Sequence, residues 1–385
     1  MIYRALTQKL FQLFSQFPVL GIMGPRQSGK TTLVRQAFSH FPYKTLEDLD
    51  IREFAKSDPR AFLDNYPDGL IIDEAQHVPE LFSYIQTAVD KKNKPGLYIL
   101  TGSQNFLLHE KISQSLAGRI ALTTLLPLSL SEIQHHKNYT NEWRTTLFHG
   151  FYPRAFEYNI QPEDWFPNYL ATYVEKDLRQ IKNISDLSLF QKFLKLCAGR
   201  TGQLLNLSSL AQDCGISHVT ARQWLSILEA SYIVFLMPPH HQNFNKRLIK
   251  SPKLYFYDTG LVCSLLDIRE KNQLETHYLR GALFENLIIL EMIKHAYNEG
   301  KRPKLTFWRD KVGHEIDCLM EERGQLIPIE IKSGQTINAH FFENLNYWKK
   351  LTEQTPGYLI YAGEENQKRS EYTVLSWKNL HQLWN

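Results

Sequence analysis

The chain has 385 residues, 43% hydrophobic and 22% charged, with a formal net charge of +4. This balance suits a folded globular protein with sizeable cores and excludes a disordered or low-complexity chain. No apolar run approaches the ~18 residues that span a bilayer, and Cys197, Cys214, Cys263 and Cys318 are scattered without a CxxC pair, which excludes a disulfide framework or zinc site as the organising feature.

A cytoplasmic protein without membrane contact is therefore expected. The opening MIYRALTQKLFQLFSQF has the Leu and Phe spacing of an amphipathic helix and lacks the apolar core and cleavage site of a signal peptide. Length argues for two or three domains, and the punctuation of the chain for three: 1–148, 149–265 and 266–385. A charge of +4 permits a nucleic-acid partner without demanding one.

In the first domain, the apolar run 18–23 reads as a buried strand and 33–38 as the start of a helix. Between them lies GPRQSGKTT: Gly24, Pro25, Arg26, Gln27, Ser28, Gly29, Lys30, Thr31 and Thr32. The two glycines permit torsions that turn successive amides inward around phosphate oxygens at a helix N-terminus. Lys30 is placed to reach the β- and γ-phosphates and the Thr31 hydroxyl to ligate Mg²⁺, so ATP and Mg²⁺ are the expected cofactors. A second strand is expected at 43–49. The run GLIID then delivers Asp73 as a second magnesium-site residue and Glu74 as the group that polarises the attacking water; the alternative is an acidic pair capping the next helix. A strand at 96–100 ends in Thr101, Gly102, Ser103 and Gln104, with Ser103 the candidate γ-phosphate sensor at the carboxyl edge of a parallel sheet. A helix is expected at 105–116. Arg119 precedes a further strand at 120–126 and lies at the domain edge, where a neighbouring subunit's nucleotide would come within reach.

These segments, GPRQSGKTTL, IIDEAQ, LTGSQNFLL, SLAGRI and LPLSLSEI, resemble the AAA+ ATPases of prokaryotes that carry a C-terminal DUF4143 domain. The resemblance implies Walker A roles for Lys30 and Thr31, Walker B roles for Asp73 and Glu74, a sensor role for Ser103 and a trans-acting arginine finger at Arg119. It also implies a homo-oligomer, expected as a ring. The alternative for Arg119 is a structural ion pair.

The turn-rich HGFYPR closes the first domain, and 164–184 reads as one helix, which the resemblance makes part of a lid over the nucleotide. Next, LSSLAQDCG and ISHVTARQWLSILEA read as two helices across a tight turn, with Ser208 and Ser217 as N-caps and Gly215 as the stop. Strands at 232–237 and 253–257 suggest the wing of a winged helix. His218, Thr220, Arg222 and Gln223 are the predicted DNA contacts, supported by Lys246, Arg247 and Lys250; the alternative is a lid or subunit contact that touches no bases.

The last third begins with a helix over 281–296 that carries Glu285, followed by strands at 305–309, 315–320 and 326–332 with a turn at Arg323-Gly324. Strand alternation puts Glu330 and Lys332 on one face and Ile329 and Ile331 on the other, with Asp317 on the adjacent strand. Two carboxylates and an ammonium at one spot suit metal-assisted phosphodiester hydrolysis, with Asp317 and Glu330 holding Mg²⁺, Lys332 orienting the water and Glu285 available to complete the acidic set. The alternatives are a scaffold that grips branched DNA without cutting it and a surface Glu330–Lys332 ion pair. The order resembles the PD-(D/E)XK, restriction-endonuclease-like fold.

The expected class is thus α/β: a P-loop AAA+ parallel sheet, a helical lid with a winged helix and a nuclease-like domain. The expected function is an ATP-driven motor on DNA, with branched DNA favoured. The alternative is a nucleotide-dependent switch whose C-terminal domain binds proteins.

Overall fold

The computed structural model describes residues 2–103, 115–174, 184, 186–240, 249–322, 324–352, 357–369 and 371–384. Two compact units emerge, the first formed by 1–128 with 230–232 and 296–302, the second by 129–229, 233–295 and 303–385. The segments 149–265 and 266–385 thus fall largely within one unit.

The first unit is built on a parallel sheet of β1 (Val19–Met23), β2 (Tyr43–Thr45), β3 (Leu70–Asp73), β4 (Tyr98–Gly102) and β5 (Ile120–Thr124), ordered β2-β3-β4-β1-β5. Strands β1, β3 and β4 are buried at every position, as continuous apolar runs must be when helices cover both faces of a sheet. Leu20, Ile22, Ile71 and Ile99 pack with Leu33, Val34 and Phe38 and with Leu6 and Leu10 at the N-terminus. The opening helix, Thr7–Phe14, is amphipathic as expected, with Leu10 buried and Phe11 exposed. The consequence for function lies in the order of the strands. β4 separates β1 from β3, so the carboxyl ends of these three strands meet at one edge.

In the second unit the helix expected over 164–184 is interrupted: Pro162–Tyr169 is α-helical, and Leu170–Val174 is a π-turn. Pro167 lies inside the α-helical part and has no N–H to donate, which favours such a local rearrangement. Helices Leu207–Cys214 and His218–Ala230 flank Gly215, whose φ of +82° suits the turn. The N-cap of the first is Asn206 rather than Ser208, its side chain accepting from Ser209 N at 3.0 Å. Ser217 caps the second as expected, accepting from Thr220 N at 3.0 Å. β6 (Val234–Met237) and β7 (Lys253–Phe256) pair antiparallel.

The chain then runs through the helix Arg280–Asn298, β8 (Leu305–Arg309), β9 (Glu315–Glu322), β10 (Gln325–Lys332), the helix Glu343–Thr352, β11 (Tyr358–Tyr361), β12 (Gln367–Lys368) and β13 (Thr373–Ser376). The sheet order is β12-β13-β11-β10-β9-β8, with β8, β9 and β10 an antiparallel meander and β10, β11 and β13 parallel. Trp308, Ile316, Leu319, Leu345, Trp348, Leu359 and Val374 fill its core. The helix Arg280–Asn298 ties the middle of the chain to this sheet. Its buried Asn286 accepts from Phe256 N at 2.8 Å and donates to Phe256 O at 2.9 Å, satisfying the edge of β7 as a neighbouring strand would.

Candidate nucleotide-binding site

The loop after β1 is shaped by two positions that exclude a side chain. A Cβ on Gly24, at φ +148°, would lie 2.1 Å from the carbonyl oxygen of Leu125. Gly29, at φ +92°, is the left-handed residue that opens the helix Lys30–Ala37. Arg4 braces the loop from behind, donating to Ser28 O and Leu126 O, each at 2.6 Å. Lys30 is buried, and its ammonium donates to Gly24 O at 2.9 Å and Pro25 O at 2.8 Å. Burial pushes its pKa down to about 8, although Glu74 and Asp73 pull the other way. Ser28 Oγ is buried without a protein hydrogen-bond partner among the described residues. A cradle closed to a Cβ, a desolvated ammonium and an orphan hydroxyl together fit a phosphate group.

Asp73, at the end of β3, collects three hydroxyls. Tyr43 donates to Oδ2 at 2.6 Å, Thr31 lies 3.0 Å from Oδ2 and 3.2 Å from Oδ1, and Thr101 donates to Oδ1. A carboxylate beside a threonine hydroxyl at the helix N-terminus is the hard-oxygen set that suits Mg²⁺. Glu74 follows in a left-handed conformation, φ 53° and ψ 46°. Ser103 Oγ donates to its Oε2 at 3.1 Å, and Gln76 donates to the same oxygen. The sheet order therefore brings Lys30, Thr31, Asp73, Glu74 and Ser103 to one edge. Arg119 sits at the opposite edge, where its carbonyl accepts from Val19 N at the start of β1. Its guanidinium embraces Asp90, Nε to Oδ1 at 2.5 Å and Nη2 to Oδ2 at 2.9 Å.

Two charged clusters mark the C-terminal sheet. Asp317 Oδ2 accepts from Ile331 N at 2.8 Å and from Lys332 Nζ at 3.2 Å, and Lys332 Nζ lies 2.5 Å from Glu330 Oε2. Glu330 is fully buried, and burial with Asp317 alongside holds its carboxyl well above the usual range. The expected convergence of Asp317, Glu330 and Lys332 is present. Glu285 joins a different cation: the buried Lys253 of β7 contacts it at 2.9 Å and also reaches Glu315, while Tyr255 donates to the same Glu285 oxygen. Glu285 feels the charge of Asp317 but is held by an ammonium from β7, and it is not grouped with Asp317 and Glu330 as a set of metal ligands. Among the described residues, no group of three or more His, Cys, Asp or Glu side chains is arranged to hold a metal. Lys332 contacts both Asp317 and Glu330, and burial disfavours the charged form of Glu330, so the two do not offer a metal a free carboxylate pair as they stand.

On the helix His218–Ala230, His218, Val219, Arg222 and Gln223 face solvent. The Thr220 hydroxyl lies 2.8 Å from Ser217 Oγ within the cap. Lys250 is exposed, whereas Lys246 and Arg247 fall outside the described residues, as do Gln104 and most of the helix expected at 105–116.

A family model described as an AAA domain matches residues 16–134, and a domain of unknown function, DUF4143, matches residues 280–380. A further domain of unknown function, DUF8612, matches residues 140–272. The uncharacterized protein Rv2008c of Mycobacterium tuberculosis is 30% identical over 329 residues, covering 85% of this chain and 73% of that protein. The chain belongs to the P-loop ATPases that join an AAA domain to a DUF4143 domain. The uncharacterized protein MJ1544 of Methanocaldococcus jannaschii is 24% identical over 349 residues, covering 82% of this chain and 75% of its own. Among solved structures, the Walker-type ATPase PABY2304 of Pyrococcus abyssi aligns with a TM-score of 0.47 at 17% identity, covering 68% of this chain and 94% of that one. The Thermotoga maritima RuvB Holliday junction branch migration motor aligns with a TM-score of 0.30 at 19% identity, covering 60% and 89%.

In this AAA–DUF4143 ATPase, several residues at the nucleotide site carry no local sequence signature. Arg4 lies 24 residues before its partner Ser28, and Tyr43 lies 30 residues before Asp73. The usable signal was weaker for Tyr43, a hydroxyl on the strand next to the one carrying Asp73, and absent for Arg4. Thr101 was visible as part of the polar tip of β4. Among the described residues, no helix is long and apolar enough to cross a membrane.

Proposed function

We propose that this AAA–DUF4143 chain hydrolyses ATP and couples the cycle to the handling of DNA, branched DNA being the favoured substrate, as a homo-oligomeric ring. The observation that carries the reading is the single edge on which the Lys30 ammonium, the Thr31–Asp73 pair and the Glu74–Ser103 pair meet. Lys30 leaves the carbonyls of its own loop to neutralise the β- and γ-phosphates, which the backbone of that loop would orient at the helix N-terminus. Thr31 and Asp73 would hold Mg²⁺, which supplies charge neutralisation across the phosphates. Glu74 accepts the proton of the attacking water, and Ser103 keeps that carboxylate in place. Arg119 acts on the nucleotide of a neighbouring subunit.

The DNA reading rests on the exposed His218, Arg222 and Gln223, with His218 and Arg222 one helical turn apart on a helix that follows a tight turn. In the C-terminal unit, the order helix, three-stranded meander, helix, parallel strand supports the resemblance to nuclease-like folds. Lys332 contacts both Asp317 and Glu330, and burial disfavours the charged form of Glu330, so the proposal stops at DNA binding by this domain and routes no cleavage through it. The second reading is a nucleotide-dependent switch whose DUF4143 domain binds protein. DNA-stimulated ATP hydrolysis on single-stranded, duplex and four-way substrates across a salt series separates the two. The motor reading expects stimulation and an affinity that falls steeply with salt, because bound phosphates release counterions. ATP hydrolysis indifferent to every DNA, with no salt-dependent binding, leaves the switch.

A further inference from the structure

Gln76 follows Glu74 by two residues and is only 6% exposed. The short 3-10 turn Ala75–His77, entered through the left-handed Glu74, folds the Gln76 amide back onto the preceding carboxylate. Its Nε2 donates to Glu74 Oε2 and lies 3.5 Å from Ser103 Oγ, which itself donates to Glu74 Oε2 at 3.1 Å. The chemistry fixes the orientation of the amide, since a carbonyl oxygen turned to the carboxylate would be repelled. Positive φ at a residue with a Cβ is uncommon and persists where surroundings enforce it. Here Glu74 N donates to Thr101 Oγ1 at 3.3 Å, tying the turn to β4. The Gln76 Oε1 atom is buried without a hydrogen-bond partner among the described residues. A buried orphan acceptor is costly, and its retention here is accounted for by what the N–H₂ end does.

We infer that Gln76 is a positioning residue for Glu74. With Ser103 it occupies one carboxylate oxygen, Oε2, and so determines that Oε1 is the oxygen turned to the attacking water. The carboxylate has a competing partner: the Lys30 ammonium is close enough to feel the charge of both Glu74 and Asp73. A Glu74 free to rotate would pair with Lys30 and cease to act as a base. Gln76 and Ser103 prevent that by holding Oε2 from the β4 side. The inference rests on the proposed role of Glu74 as acceptor of the water's proton.

The test compares wild type, Glu74→Gln, Gln76→Leu and Gln76→Met. The last keeps the length of the side chain and removes its donors. For each, steady-state kcat and KM for ATP, the Kd of a non-hydrolysable ATP analogue and the melting temperature are measured. Both Gln76 variants are expected to lose about 10–100-fold in kcat, the usual effect of removing a group that orients a reacting one, while KM and analogue Kd stay within about threefold. Retention of wild-type kcat in both variants overturns the inference. So does a parallel loss of kcat, analogue binding and melting temperature, which would make Gln76 merely structural. The underlying reading fails separately: if Glu74→Gln hydrolyses ATP at the wild-type rate, Glu74 is not the base and the role of Gln76 falls with it.

Discussion

Lys30 shows how one buried side chain sets a pH dependence. In the free protein its pKa is about 8, against an ordinary 10.5, because burial penalises the ammonium. A bound phosphate favours the charged form, so above pH 8 nucleotide binding must take up a proton. Affinity is therefore expected to be flat below pH 8 and to fall toward tenfold per pH unit above it. Folding moves the other way. Between pH 8 and 10.5 the unfolded chain holds the proton that the folded chain has released, so the stability of the nucleotide-free protein gains from this group as pH rises through that window. Titration calorimetry with a non-hydrolysable analogue from pH 6.5 to 9.5 checks the first; an affinity independent of pH would remove Lys30 from the phosphate contact. Lys30→Ala should abolish binding, whereas Glu74→Gln should bind ATP and hold it unhydrolysed, because the lysine meets phosphate charge and the glutamate meets only the water.

The elements explain which parts of the site were legible in the sequence. Asp73, Glu74 and Ser103 were readable because each sits at the carboxyl end of an apolar run, and Lys30 and Thr31 because a glycine-bounded loop after such a run ends at a helix N-terminus; a parallel sheet brings these ends together. Lys253 was not. Its partners Glu285 and Glu315 come from a later helix and strand, and no periodicity predicts that a lysine on β7 will be drawn into their midst. The cap of Leu207–Cys214 was misread for a local reason. Asn206 and Ser208 are both good N-caps two residues apart, and only the extended backbone of Asn206, φ −105° and ψ 93°, settles the choice. Asn206→Ala is accordingly expected to cost about 1 kcal/mol, while Ser208→Ala stays within about 0.5 kcal/mol. Urea denaturation of the two variants decides it, and equal effects would contradict the assigned cap. On the following helix, Arg222→Ala should weaken DNA binding without lowering stability, since the side chain is exposed; unchanged affinity for every DNA tested would remove that helix from the interface.

At the scale of the whole molecule, the open question is whether Arg119 serves its own fold or a neighbouring subunit. Its bidentate contact with Asp90 is the structural alternative in concrete form. Both partners are substantially exposed, the side chains 33% and 48%, and ion pairs that face solvent contribute little to stability. The pair can therefore be broken at small cost when a phosphate offers a better partner, and Arg119 sits beside the start of β1, at the end of the sheet opposite the P-loop. If the trans reading holds, Arg119→Ala abolishes ATP hydrolysis while Asp90→Ala preserves or raises it, because the second change frees the guanidinium. Mixing Arg119→Ala with Lys30→Ala subunits, each inactive alone, should restore part of the activity through interfaces that combine an intact P-loop with an intact arginine. If the pair is instead a structural clamp, Arg119→Ala and Asp90→Ala behave alike, with a small shared loss of melting temperature and no specific loss of kcat. Mixed oligomers verified by native mass spectrometry that regain no hydrolysis would place Arg119 with Asp90 and leave the γ-phosphate to groups on its own subunit.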